Sequence, residues 1–226
     1  MTHILKNTKL YLIIFIFLFL SSCKIDFVGD IYTSDLISIA EKGGSINLPM
    51  EISFQVTSCD DDNSSLNKKI GSYFVDYKQI DCGTGDDFMS YIKSKVSVPI
   101  TNNQKEFETQ NKSLVGYFST LNEEEKKTEI YLVVNLQKLE NLSDYVENET
   151  FQKLSLVDSK FKINLNNDID NLKVAIYPSI VDGVPIVYPT FFDLNKREKI
   201  TIENSNVSSM HLEIEGWTPL FYFNNN

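Results

Sequence analysis

Apolar and polar residues alternate over several stretches of the chain, a pattern typical of strands that bury one face. It is clearest in SINLPMEISFQV, where the apolar side chains from Ile46 to Val56 occupy every second position. Pro49 cannot donate a backbone hydrogen bond, so this strand is expected to begin after Pro49 or to lie at an edge. Further strands are predicted at 88–100, 113–120, 129–136, 161–165, 172–180, 184–191, 199–204 and 217–226.

Helical spacing of apolar residues is confined to a few short segments. The pattern predicts helices over Ser34–Glu41, Ser65–Asp76 and Lys138–Asn148. The polar residues 101–112 are expected to form a loop, as is CGTGDD, and the segment SSMHLEIEG reads as a strand.

The two halves of the chain differ in pattern, and this difference suggests two domains. Residues 47–150 mix strands with helices and are expected to form an α+β domain. Residues 151–226 contain short strands separated by turns, the clearest being Asp182-Gly183, and favour a small antiparallel β-sandwich-like module. A single continuous β-rich domain would give a similar pattern and stays an alternative.

The N-terminus is apolar without alternation. Leu10–Leu20 contains eleven apolar residues in a row, preceded by Lys6 and Lys9 and followed by two serines. A membrane-spanning helix needs roughly 20 such residues, whereas a basic start, a short apolar run and a small-residue end are typical of a secretory signal. Residues 1–22 are therefore expected to be a signal peptide, and residues 23–46 a tether with one short helix.

The end of this leader, Leu20-Ser21-Ser22-Cys23, resembles the lipobox of bacterial lipoproteins. The resemblance implies cleavage before Cys23, acylation of its thiol and new amine, and attachment to a membrane. Lys24, rather than Asp, follows the cysteine, which favours the outer membrane over inner-membrane retention. The segment CKIDFVGDIYTSDL also resembles the opening of a group of small uncharacterised bacterial lipoproteins, and this implies no activity. Cleavage by an ordinary signal peptidase is the alternative.

The charge of the chain excludes several classes of partner. Two of the 21 basic residues, Lys6 and Lys9, lie in the leader, which has no acidic residue; the remaining 19 stand against 31 acidic residues, a net charge of −12. Nucleic acid requires clustered Lys and Arg, and anionic lipid requires a polybasic segment. We therefore expect no nucleic-acid partner, and a membrane contact that depends on the lipid anchor.

Few residues are candidates for chemistry. Cys59 and Cys82 form an even pair in an exported chain and are expected to form a disulfide. His211 is the one histidine after the leader and is assigned a structural role. The acidic segments 60–63 and 166–170 resemble turns more than calcium loops. No catalytic residue, metal site or cofactor is predicted.

These features favour an envelope lipoprotein with a non-enzymatic binding or structural role and an envelope protein as its partner. A glycan- or solute-binding module is the first alternative and requires an aromatic-lined concave face, to which Trp217, Tyr222 and Tyr188 could contribute, although core packing is their default role. A carboxylate-dependent hydrolase is the second, and it requires two acidic side chains that converge in a cleft.

Overall fold

The computed structural model describes residues 22–59, 64–85, 89–109 and 112–224, and about half of the chain lies in strands. The strands are β1 (Ile25–Tyr32), β2 (Ser45–Val56), β3 (Val75–Thr84), β4 (Ser90–Thr101), β5 (Val115–Asn122), β6 (Lys127–Val134), β7 (Phe161–Asn166), β8 (Leu172–Ile176), β9 (Ser179–Val181), β10 (Val184–Ile186), β11 (Thr190–Leu194), β12 (Lys199–Asn204) and β13 (Trp217–Asn224). The helices are α1 (Thr33–Lys42), α2 (Ser64–Gly71), α3 (Gln104–Thr109), α4 (Leu136–Thr150) and α5 (Asn206–Glu215).

All described strands belong to one large, nearly closed sheet. Its order is β10-β9-β12-β7-β1-β2-β4-β5-β6-β13-β8-β11, and β3 pairs with β4 beside this path. The pairs β1–β7 and β4–β5 are parallel, and the other pairs are antiparallel. The two terminal strands of the order, β10 and β11, are separated in the chain only by residues 187–189. The sheet therefore returns almost to its own starting edge.

The alternation in the sequence produces the inner face of this sheet. In β2 the side chains of Leu48, Met50, Ile52 and Phe54 are buried, while the intervening residues are more exposed. The strand also runs through Pro49, which lies opposite Ser97 of β4. Pairing with β1 extends from Phe54 only as far as Met50, so Pro49 lies where β2 has a neighbour on one side.

The strand register gives the sheet two ends. We call the end at which β1 begins the leader end. The residues at this end of their strands are Ile25, Val56, Thr84, Ser90, Val115, Val134, Phe161, Ile176, Ser179, Ile186, Thr190, Asn204 and Trp217. Both α4, which connects β6 to the segment before β7, and α5, which connects β12 to β13, start and finish at the leader end. Helix α1 follows β1 at the opposite end and buries Leu36 and Ile39.

The expected tether at 23–46 is wrong. Residues 25–32 form β1, which lies between β2 and β7 in the middle of the sheet, and the side chains of Ile25, Phe27 and Ile31 are buried. The segment reads as a linker in the sequence because it is short and because Gly29 and Asp30 interrupt its apolar residues. Gly29 leaves room for Met50 of β2, since a Cβ would lie 2.6 Å from the Cε of Met50 and would force that side chain to move.

The predicted separation of an α+β half from a sandwich-like C-terminal module is not confirmed. Strand β7 pairs in parallel with β1, and β13 pairs with β6, so strands of the C-terminal half flank those of the N-terminal half on both sides in one sheet. A single cluster of buried side chains extends from Cys23 to Phe223. The hairpin turn predicted at Asp182-Gly183 is present, with both residues at positive φ between β9 and β10.

Six secondary-structure predictions require correction. The loop expected at 101–112 contains α3, the single strand expected at 172–180 divides into β8 and β9, and the one expected at 184–191 divides into β10 and the start of β11. The helix expected to reach Asp76 ends at Gly71, where a Cβ would lie 2.8 Å from Cδ1 of Tyr77. The CGTGDD segment was expected to be a loop, but its first three residues complete β3, an edge strand whose exposed residues show no alternation. The segment around His211 is helix α5 rather than a strand; Ser205 caps it by accepting from Ser208 N–H.

No helix in the described part of the chain is both long enough and apolar enough to cross a membrane.

Candidate functional site

A cleft lies on the outer surface of the sheet, between α3, the paired strands β5 and β6, and the start of β13. It consists of two adjoining cavities of about 400 and 330 Å³, which share Gln104, Phe118 and Trp217. We call it the aromatic cleft, because four aromatic side chains line it: Phe107, Phe118, Tyr131 and Trp217.

Strand pairing places these rings beside one another. Phe118 and Tyr131 are directly opposite in the β5–β6 pair, and Trp217 pairs with Val133 two residues further along β6. The rings of Tyr131 and Trp217 meet edge to face, with centroids 5.7 Å apart. Because alternate residues of a strand share a face, the outward positions of β5 and β6 together with Trp217 form a continuous aromatic wall.

Helix α3 supplies the fourth ring. Phe107 meets Phe118 edge to face at 5.7 Å, and with Val133 the two form a small apolar cluster separate from the main core. Gly116 makes this contact possible, since a Cβ there would lie 2.6 Å from Cε2 of Phe107. The absence of a side chain at Gly116 therefore lets α3 approach the sheet.

Trp217 is held by a neighbour on α5. His211 Nδ1 lies 2.6 Å from the carbonyl oxygen of Trp217, and the two rings meet edge to face at 5.0 Å. A carbonyl oxygen can only accept, so Nδ1 carries the hydrogen and donates it. The His211 side chain thus orients the tryptophan, in line with the structural role expected from the sequence.

Polar side chains occur among the rings. The cleft is lined by Gln104, Glu108, Thr120, Asn135, Gln137 and Glu215. Gln104 Nε2 donates to Glu108 Oε1 at 2.8 Å, and the Tyr131 hydroxyl donates to Glu129 Oε2 at 2.6 Å. Burial, the hydrogen bond to Glu129 and its negative charge all raise the pKa of Tyr131, which keeps its hydroxyl protonated at neutral pH.

Neither Lys nor Arg is among the described residues that line the cleft, and two carboxylates are. An anionic ligand would therefore be repelled. A neutral ligand with flat apolar faces and hydroxyl groups would fit, because its faces could stack on the rings while its hydroxyls bond to amides and carboxylates.

A family model described as a domain of unknown function, DUF7424, matches residues 29–226. The chain belongs to the DUF7424 family. The search of curated proteins found no match, and neither did the search of solved structures. The family match begins within β1 and covers all the residues that line the cleft.

The other aromatic residues noted in the sequence of this DUF7424 chain lie elsewhere. Tyr188 is 76% exposed in the segment between β10 and β11. Tyr222 is half-buried, packs against Tyr177 and Phe191, and has the Lys127 ammonium 4.7 Å above its ring. Trp217, at 42% exposure, is the one of the three that reaches the cleft. Because Trp217 is exposed in the cleft, the expectation that it packs in the core is wrong.

The proposed lipidation residue, Cys23, is buried at the leader end. Its backbone N–H donates to Lys153 O, its carbonyl accepts from Ser155 N–H, and its thiol donates to Gln152 Oε1. Burial raises the pKa of the Cys23 thiol, although a hydrogen bond with Thr150 opposes the change. Acylation of the Cys23 sulfur therefore requires one of two conditions. Either the sulfur is modified before residues 22–24 take up this buried position, or these residues move out of it.

Cys59 and Cys82 are joined by a disulfide, with Cα atoms 5.6 Å apart. The bond ties the segment after β2 to the edge strand β3 across a sequence separation of 23. The acidic segment 60–63 next to it lies outside the described residues.

The second acidic segment has a structural role. Asp168 accepts hydrogen bonds from the Thr33 hydroxyl and from both the backbone and the hydroxyl of Ser34, and so caps the first turn of α1. Asn166 donates to Asp30, and Asp170 pairs with Lys196 at 3.8 Å. No group of three or more potential metal ligands occurs among the residues that the structure describes.

Proposed function

We propose that this protein is a lipid-anchored lipoprotein of the bacterial cell envelope with a non-enzymatic binding role, and that the aromatic cleft is its ligand site. The observation that carries the binding role is the wall formed by Phe118, Tyr131 and Trp217, three strand residues directed away from the main core. Phe118 is only 9% exposed, whereas Trp217 is 42% exposed and Tyr131 is half-buried. A Trp and a Tyr that are partly exposed side by side in a cavity are typical of ligand sites.

The anchor rests on the leader and its LSSC end. Cleavage before Cys23 and acylation with palmitate or similar chains would attach the body through its leader end, because β1 begins two residues after the cysteine. The body then lies against the membrane rather than at a distance from it. Lys24 favours the outer membrane, with the body in the periplasm or outside.

A neutral saccharide is the ligand class that the cleft favours. Sugar rings present flat C–H faces that stack on Trp and Tyr, and their hydroxyls match the amide of Gln104 and the carboxylates of Glu108 and Glu215. The absence of Lys and Arg from the described lining makes phosphorylated or strongly acidic ligands a poor match.

An envelope protein that inserts a polar, ring-bearing segment is the second candidate, supported by the continuity of the two cavities, which share Gln104, Phe118 and Trp217. A hydrolase remains a third hypothesis, since Glu108 and Glu215 both line the larger cavity. Release of product from a bound oligosaccharide would identify this activity.

The one tryptophan in the chain makes the test direct. We expect neutral oligosaccharides, including uncharged cell-wall fragments, to change the emission of Trp217 on titration. Tyr131→Ala should weaken binding about fivefold or more, because stacking on one ring contributes ~1 kcal/mol or more beyond its area. Tyr188→Ala is the matched control, an exposed tyrosine outside the cleft.

Calorimetry with Trp217→Ala checks the same site without the reporter. Saccharide binding that Tyr131→Ala leaves unchanged would reject the cleft as the site. No response to any neutral saccharide, combined with cross-linking of one envelope protein to cleft residues, would favour the protein partner.

A further inference from the structure

The leader end of the sheet carries most of the large exposed apolar side chains that lie outside the strands. We call this set the apolar rim: Phe151, Val187, Tyr188, Val207, Met210 and Ile214, each more than half exposed. Phe151 follows α4 and precedes Leu154, which forms a parallel bridge with Cys23. Val187 and Tyr188 follow Ile186, and the other three lie on α5.

Helix α5 is apolar on both sides. Ser209 and Leu212 are buried against the body, whereas Val207, Met210 and Ile214 form an exposed stripe at positions i, i+3 and i+7. A helix that only completed the fold would expose polar residues there.

Phe151 is the most exposed member of the rim, at 84%, and its backbone is left-handed with φ of 58°. Gly or Asn usually ends a helix in this conformation, and a Phe there is unfavourable by roughly 1 kcal/mol or more. Folding does not account for this residue at this position.

The opposite end of the sheet differs. Its connections at 122–127 and 195–198 read NEEEKK and NKRE, and Tyr32 is the large hydrophobic residue exposed where β1 ends there. Other exposed hydrophobics, such as Val28 and Ile80, lie along strands. Large exposed apolar side chains outside the strands are therefore concentrated at the leader end, beside the acidic residues Glu147, Glu149, Glu213 and Glu215 of α4 and α5. We call the opposite end, with these two connections, the charged end.

We propose that the apolar rim lies on the surface of the lipid bilayer and inserts its side chains into the interfacial region. This inference rests on the anchor in the proposed function, because acyl chains on Cys23 would bring this end, and no other, to the membrane. Phe151 has Glu147 and Glu149 before it in the chain and a single basic residue, Lys153, after it, so no polybasic segment surrounds it. The contact is therefore apolar and does not require anionic lipid.

The test uses the full-length protein in phosphatidylcholine vesicles, with an environment-sensitive fluorophore on a single introduced cysteine. With Cys23 acylated and Cys59 bonded to Cys82, Met210→Cys provides one free thiol in the rim, and Glu124→Cys provides the control at the charged end. Brominated lipid should reduce emission from position 210 by about half, since interfacial faces penetrate ~5–10 Å, and leave position 124 unchanged. We expect the same loss of emission whether or not the vesicles contain the anionic lipid phosphatidylglycerol.

Mass spectrometry of Cys23 separates failure of the anchor from failure of the inference. Acyl chains without quenching at position 210 would overturn the inference and leave the anchor intact. Protection of the 210 fluorophore from aqueous iodide without quenching by lipid would assign the rim to a protein instead, and so overturn it. If Cys23 carries no acyl chain, quenching at 210 in membrane-bound protein would support the rim contact alone, and no vesicle binding would overturn both.

Discussion

Phe27 and Phe161 stack face to face with ring centroids 4.9 Å apart, although 134 positions separate them in the chain. They are also directly paired in the parallel ladder between β1 and β7. This contact joins the first strand of the fold to the first strand of the C-terminal half. The two halves therefore share one core at this point, and neither is complete without the other.

Replacing Phe161 with Ala should destabilise the whole protein rather than its C-terminal half. Loss of a buried Phe costs about 3–5 kcal/mol of the free energy of unfolding. Urea denaturation followed by circular dichroism and by Trp217 emission should give coincident single transitions in both proteins, with the variant's midpoint lowered. Phe151→Ala, at an exposed position, should change the midpoint little. Two separated transitions would show that the halves unfold independently.

The register of β1 on β7 also shows why the domain boundary could not be read from the sequence. Alternation of apolar residues predicted nearly all of the antiparallel strands, because each strand with one buried face carries its own signal. The pairing of Phe27 with Phe161 cannot be predicted in this way, because nothing in either segment indicates which other strand is its neighbour. Strand β3 was missed for a related reason: it lies at an edge and is exposed along most of its length.

Part of the cleft could be predicted from the pattern of apolar and polar residues in the sequence. Tyr131 shares the outward phase of β6 with Lys127 and Glu129, and an aromatic residue among charged ones is a sign of an exposed ring. Phe107 could not be found in this way, since its helix is six residues long and lies in a polar segment. The position of Phe107 depends on the missing side chain of Gly116, which lies on a different element, β5. No local sequence motif indicates this contact.

The disulfide between Cys59 and Cys82 should stabilise the protein by about 3 kcal/mol, the value that chain entropy gives for a loop of this size. The double variant Cys59→Ser/Cys82→Ser should lower the free energy of unfolding by that amount, and reductant should have the same effect on the wild type. Thermal unfolding with and without dithiothreitol measures both. A reductant effect that persists in the double variant would exclude this bond as its source.

Asp168 should make the stability of the fold depend on pH at acidic values. Burial alone would raise its pKa, but hydrogen bonds from Ser34 and Thr33 outweigh burial and lower it. Since the folded pKa lies below the unfolded one, the carboxylate stabilises the fold fully above about pH 4, the usual unfolded value, and this contribution is lost as pH falls through the folded pKa.

Replacing Asp168 with Ala removes the cap of α1 and should cost about 1 kcal/mol at pH 7. The difference from wild type should shrink as the pH falls below about 4, where the wild-type carboxylate also becomes protonated. Chemical denaturation at a series of pH values measures this. Asp168→Asn, which keeps an acceptor, is the control and should lose less at pH 7. A cost for Asp168→Ala that stays constant down to pH 2 would show that the charge of Asp168 makes no contribution.

His211 should control how firmly Trp217 is held in the cleft. Its Nδ1–H donates to the tryptophan carbonyl, and its ring packs against the indole edge. His211→Ala removes both contacts, so the Trp217 side chain should become more mobile and more accessible to acrylamide. His211→Phe keeps an aromatic ring but not the donor, and should have an intermediate effect. Acrylamide quenching and fluorescence anisotropy of the single tryptophan measure the change without any ligand.

The same variants connect this orientation to binding. If a fixed Trp217 is needed for stacking, His211→Ala should weaken saccharide binding several-fold although His211 does not line the cleft, because part of the binding free energy then goes into immobilising the ring. His211→Phe should recover part of the affinity in proportion to its anisotropy. Affinity that falls while anisotropy stays at the wild-type value would mean that His211 acts by another route, such as direct contact with the ligand.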